Sequence, residues 1–198
     1  MRHSIISVLP VLVISSLFAI SCHNVENKRI VSVVPIKTEV LGLHLGDVSS
    51  VKEVEKAISK TIGKEVISDS EKSGIGTTVR VISPSLNISF AGLSWLYVDV
   101  ELNENKQIVT ITLTGSYENI ERAKGQFDAV SLMLSDKYGK GNDSYDHSLI
   151  FWTDDINSVG VTYLQSSALD GSDRCFCYLY YTNIELADAM DAANYADI

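Results

Sequence analysis

Residues able to do chemistry are sparse in this chain and poorly grouped. A nucleophilic triad needs a serine or cysteine beside a histidine that an acid orients. Past the first 22 residues there are three histidines, His23, His44 and His147. His44 sits between Leu43 and Leu45 and reads as a strand residue on a polar face. His147 closes Gly141-Asn142-Asp143-Ser144-Tyr145-Asp146-His147, a composition suited to turns. With Asp143 and Asp146 it is the one place where a hydrolase or a metal-dependent enzyme could be assembled. Asp170 and Asp173 form a second acidic pair, but neither pair has the spaced ligands and central glycine of a calcium loop. No G-x-S-x-G elbow, H-E-x-x-H, P-loop or G-x-G-x-x-G occurs.

Cys175 and Cys177 alternate in a strand-like run, which puts both thiols on one face. A disulfide between i and i+2 is strained in an extended strand, and a metal would need further ligands. They read as small buried apolar side chains. The sequence therefore assigns no catalytic residue, no metal and no cofactor, and the chain reads as a binding protein rather than an enzyme.

The elements that must position these residues are legible from periodicity. Ser50-Val51-Lys52-Glu53 has the capping-box pattern, Val54, Ala57, Ile58 and Ile62 follow at helical spacing, and Gly63 supplies a stop. Strand signals follow at 65–69, 77–83 and 87–91, with Ser73-Gly74-Ile75-Gly76 as a turn. Residues 95–102 and 107–114 predict a hairpin around Asn103-Glu104-Asn105-Lys106. Leu96, Val98, Val100 and Leu102 form its buried face, while Trp95, Tyr97, Asp99 and Glu101 form a wet one. A long helix is expected from an N-cap at Ser116, with Ile120, Ala123, Phe127, Val130, Leu134 and Tyr138 as its stripe and Gly139 as its end. Strands at 148–153, 159–164 and 174–182 and an Ala-rich helix at 184–196 complete the chain, with Leu169-Asp170-Gly171-Ser172 as the last turn. This order predicts an α+β fold, an antiparallel sheet with helices packed on one face, in one sheet or two helix-then-sheet modules. On the wet face Trp95 and Tyr97, with Tyr178 and Tyr180 alternating similarly, are the candidate binding surface, unless a helix covers them.

The first residues give an address. Arg2 precedes an apolar run of about 16 residues, Ile5 to Ile20, too short for the ~20 that span a bilayer and within the range of a signal peptide. It closes on Leu17-Phe18-Ala19-Ile20-Ser21-Cys22. That hexapeptide resembles the lipobox of bacterial lipoproteins, with Ala19 where leucine is usual. The resemblance implies a diacylglycerol thioether on Cys22, further acylation such as palmitate, and a membrane anchor. An ordinary cleavage site or an uncleaved anchor are the alternatives. His23, in place of an aspartate, leans toward an outer rather than an inner membrane by the enterobacterial rule. Residues 1–21 are thus expected to be a signal peptide, 22–37 a tether and 38–198 a single domain. Only Arg2 of the charged residues would be lost on cleavage, leaving 15 Lys and Arg against 25 Asp and Glu, a net charge of −10. Such a surface disfavours nucleic acid.

Leu43-His44-Leu45-Gly46 before a helix, Gly92-Leu93-Ser94-Trp95 entering a strand, Lys137-Tyr138-Gly139 closing the long helix, and Trp152 are short islands of a second resemblance. They are similar to uncharacterised bacterial envelope lipoproteins and to the fold of SmpA and the β-lactamase-inhibitor proteins. What that implies is a cell-envelope binding domain for a protein or small ligand, with no catalytic residues to carry over.

Overall fold

The computed structural model describes residues 30–32, 34–85, 87–167 and 173–196. Cys22, His23 and the turn at Leu169–Ser172, Asp170 included, lie outside them. Local signals set the first elements. Strands β1 (Glu39–Val40) and β2 (Leu43–His44) form a short hairpin that leads to α1 (Val51–Ile62). The capping box forms as the sequence predicts: the Glu53 amide donates to Ser50 Oγ, and Glu53 Oε2 accepts the Ser50 amide at 2.8 Å. Gly63 ends the helix in the left-handed conformation at φ 67°.

Six strands follow: β3 (Ile67–Ser73), β4 (Gly76–Ile82), β5 (Ile88–Phe90), β6 (Leu93–Trp95), β7 (Tyr97–Leu102) and β8 (Ile108–Tyr117). Helix α2 (Ile120–Tyr138) then leads to β9 (Asn142–Asp143), β10 (Leu149–Thr153), β11 (Asn157–Ser167), β12 (Asp173–Asn183) and α3 (Ile184–Ala196). The N-cap of α2 is Asn119, whose side chain accepts the Arg122 amide at 3.0 Å. Ser116, the expected cap, is instead held in β8 opposite Phe176. Strand pairing with β12 outcompetes the cap there.

The main sheet has eight strands in the order β3-β4-β7-β8-β12-β11-β10-β9, every neighbouring pair antiparallel. Its centre is the β8–β12 pair, where a run from the first half of the chain meets a run from the second. One continuous sheet is therefore built from two helix-then-strands units, and the fold is α+β. Val81, Val98, Leu113 and Leu179 lie in one register row, and Val79, Val100, Ile111 and Tyr181 in the next. All eight are buried. With Val54 and Ile58 of α1 and Phe127, Val130 and Leu134 of α2 they make the core. Each fully buried side chain of this size is worth about 1.5–3 kcal/mol against exposure.

Helices α1 and α2 share that face, as expected of the helices generally. Helix α3 does not. A Cβ on Gly76, which alternates with the core-facing Val79 and Val81 positions, would strike Met190 of α3, and Asp191 acts electrostatically on Glu101 of the same opposite face. Helix α3 therefore lies against the other face at one end.

The last residues of the expected tether are part of the fold. The Ile30 amide donates to Asn142 Oδ1 and the Asn142 side-chain amide donates back to the Ile30 carbonyl, both at 2.8 Å. The Ser32 amide donates to the Thr153 carbonyl at 2.7 Å, and the Ile36 amide to Asp154 Oδ2 at 2.6 Å. Ile36 is buried. Strand β9 pairs with only two residues of β10, so residues 30–32 and 34–36 lie along an edge that would otherwise expose unpaired backbone. Among the described residues no helix is long and apolar enough to cross a membrane.

Candidate functional site on the polar sheet face

Strand alternation gives the face opposite the core a polar character, and register lines its side chains up across the sheet. Thr78, Glu101, Thr110, Thr182, Ser158 and Thr153 occupy one row running over six strands. Arg80, Asp99, Thr112 and Tyr180 form the next, and Tyr97, Thr114, Tyr178 and Thr162 the one after. Threonine recurs because its branched carbon suits an extended backbone while its hydroxyl serves a polar layer.

The centre is an ion pair. Arg80 donates from Nε to Asp99 Oδ1 and from a terminal nitrogen to Oδ2, both at 2.8 Å. Its guanidinium carbon also sits 4.4 Å from the centroid of the Tyr97 ring. Burial raises the Asp99 carboxyl above its usual range despite these two bonds, while Asp99 holds Arg80 firmly charged. Among the described residues the charges acting on Glu101 are both acidic. Burial raises its carboxyl first, and Asp191 and Asp99 raise it further. The hydroxyls of Thr78, Ser158 and Tyr178 are buried on this face without a hydrogen-bond partner among the described residues. Buried polar groups are normally satisfied, so three such hydroxyls on one face mark a place where polar partners are wanted.

The aromatic surface expected at Trp95 and Tyr97 does not exist in that form. Trp95 is 1% exposed and Tyr97 8%, and Tyr178 and Tyr180 are equally covered. A break at Leu96 is the cause. Trp95 belongs to β6, paired with Ile88 of β5, and its indole donates to the Phe90 carbonyl at 3.2 Å inside the core. Strand β7 begins only at Tyr97, so the two aromatics do not share one continuous strand face. Asp99 and Glu101 do lie with Tyr97, as alternation predicts. What the sequence could not supply was the cross-strand company: Arg80 and Tyr178 join them only through register.

At the other candidate site, His147 Nδ1 lies 2.6 Å from Asp143 Oδ2 on an exposed loop. That is the base-and-acid half of a triad. The nearby Ser144 hydroxyl is committed elsewhere: it donates to Asp146 Oδ1 at 2.7 Å and accepts the Leu149 amide at 3.1 Å. Asp146 is pulled below its ordinary range by the Ser144 hydroxyl and the Ser148 amide, as befits a turn-closing carboxylate. No group of three His, Cys, Asp or Glu side chains suited to a metal occurs among the described residues. His44 is exposed on β2, opposite Glu39. Cys175 and Cys177 are buried on the core face with no disulfide among the described residues, and burial pushes the Cys177 thiol up to about 12. A shallow groove of about 460 Å³ beside α1 carries Glu39, Glu53, Lys56 and Lys60 on its walls, charges that offset one another at its mouth.

No family model, curated protein or solved structure matches this chain.

Proposed function

We propose that the protein is an extracytoplasmic lipoprotein, held in the cell envelope by acyl chains on Cys22, whose domain binds a ligand or an envelope protein without catalysing a reaction. The anchor reading is carried by the hexapeptide Leu17-Phe18-Ala19-Ile20-Ser21-Cys22 at the end of a short apolar run. Its lipid chains would contribute ~0.8 kcal/mol per buried methylene, enough together for a stable anchor. Mass spectrometry of the Cys22 peptide and detergent phase partitioning test it. The wild-type chain is expected in the detergent phase and Cys22→Ala in the aqueous phase; identical partitioning sinks the anchor.

Support for binding comes from the polar face, where, among the described residues, the charges acting on Glu101 are both acidic and the hydroxyls of Thr78, Ser158 and Tyr178 have no hydrogen-bond partner. A small polar ligand with a cationic group, or a polar segment of a partner, complements that set. An enzyme using His147 is the second reading, favoured by its short contact to Asp143. Hydrolytic activity of the purified protein that disappears in His147→Ala would establish it over the binding reading.

A further inference from the structure

We propose that the β9–β10 edge of the sheet, with residues 30–36 laid along it, is the surface that rests on the lipid bilayer. The proposal builds on acylation of Cys22. A chain extends at most about 3.6 Å per residue, so the eight steps from Cys22 to Ile30 reach ~29 Å when fully stretched. The 19-residue α2 is itself about 28 Å long. Ile30 is pinned on both sides by Asn142. The edge that carries Ile30 therefore stays within that reach of the anchored cysteine.

The side chains at this edge suit that contact. Among the described residues eight large hydrophobics are exposed, and Ile30, Val31, Val34, Tyr145 and Ile156 belong to the pinned segment or to the loops at either end of β10. The other three lie elsewhere: Val48 before α1, Ile67 on β3 at the opposite edge of the sheet, and Leu132 on α2. Tyr145 is wholly exposed, and aromatic rings of this kind favour the headgroup level. Lys37, Lys137 and Lys140 are exposed next to the same edge and Asp143, Asp146 and Asp155 on it, so the apolar side chains and not net charge favour the contact. Apolar side chains entering the headgroup layer, with charged groups of both signs around them, describe an interfacial contact.

Hydroxyl-radical footprinting of the mature chain, lipidated on Cys22 and bound to vesicles of phosphatidylethanolamine and phosphatidylglycerol, tests this surface. Cys22→Ala in the same vesicle suspension is the reference. Oxidation is expected to be lost at Ile30, Val31, Val34, Tyr145 and Ile156 and unchanged at Val48, Ile67 and Leu132. Equal oxidation at all eight residues overturns the proposal, as does protection that appears only after solubilised envelope proteins are added. The mass of the Cys22 peptide scores the anchor separately. If it carries no acyl chains, that reading fails, and the same footprint is taken on chain coupled through Cys22 to a maleimide-headgroup lipid, since Cys175 and Cys177 are buried.

Discussion

Asp99 and Glu101 stand two residues apart on one strand face and differ in a single respect: Asp99 has a cation. Its partner Arg80 is held at both ends of the carboxylate, and the Asp99 side chain is 13% exposed. Removing one partner of such a pair strands the other charge. Arg80→Ala is therefore expected to cost about 2 kcal/mol in urea unfolding, with Arg80→Ala/Asp99→Asn recovering part of the loss. Glu101 carries the opposite burden. Its folded-state carboxyl is raised, so the folded chain holds the proton more tightly than the unfolded chain does. Its contribution is fully present below the ordinary value of 4.5 and is lost as pH rises through the raised folded value. Glu101→Gln is expected to be more stable than wild type at pH 7. The difference should close as pH falls below 4.5, which thermal melts at stepped pH would show. A gap that widens on acidification would contradict this account.

Elements show where sequence reading succeeds and where it stops. Helix α1 was legible because its signals are contained in it: Ser50 and Glu53 cap one end and Gly63 stops the other. The alternation of Val98 and Val100 with Asp99 and Glu101 was legible for the same reason. Trp95 was misplaced because the interruption at Leu96 leaves no mark in the alternation; it arises from β5, which captures the tryptophan. The N-cap at Asn119 was missed because β12, some 60 residues later, holds Ser116 in the sheet. The polar file across the sheet was legible strand by strand and invisible as a file, since register between distant strands is set by the folded core. Gly160 illustrates the same dependence. It lies opposite Tyr180, and a methyl group added there would strike the tyrosine hydroxyl and ring. Tyr180 is itself buried and cannot swing away. Gly160→Ala is expected to destabilise by roughly 1–3 kcal/mol, read as a lower urea midpoint with an unchanged slope.

At the scale of the molecule, one carboxylate closes the sheet edge. Asp154 accepts the amides of Ile36 at 2.6 Å, Ile156 at 3.2 Å and Asn157 at 2.8 Å, so it shapes the β10–β11 turn and latches residues 30–36 together. Asp154→Ala is expected to lose about 2 kcal/mol and to bare the β10 edge. Exposed strand edges pair with other copies, so sedimentation should show concentration-dependent association in the variant that wild type lacks. Retention of a monomer would mean that Ser32 and Asn142 hold the segment unaided. The sequence marks a tether at 22–37, and its described part, residues 30–32 and 34–37, is bound to the fold. Residues 30–37 have no periodicity of their own, and their partners lie more than 100 positions away.

That separation has a consequence for how the chain acquires its shape. Ile30 finds Asn142 across 112 residues, and Ile36 finds Asp154 across 118. The segment emerges before its docking site, which is completed only after two helices and most of the sheet strands have been made. Contacts of such high order form late, because closing long loops carries an entropic cost before it is rewarded. Until then the edge of β10 stands open and the leading segment has nothing to hold. The interval between release of β10 and docking of the leading segment is when this protein is most prone to pair with a neighbour, and a chaperone that shields strand edges would act in that interval.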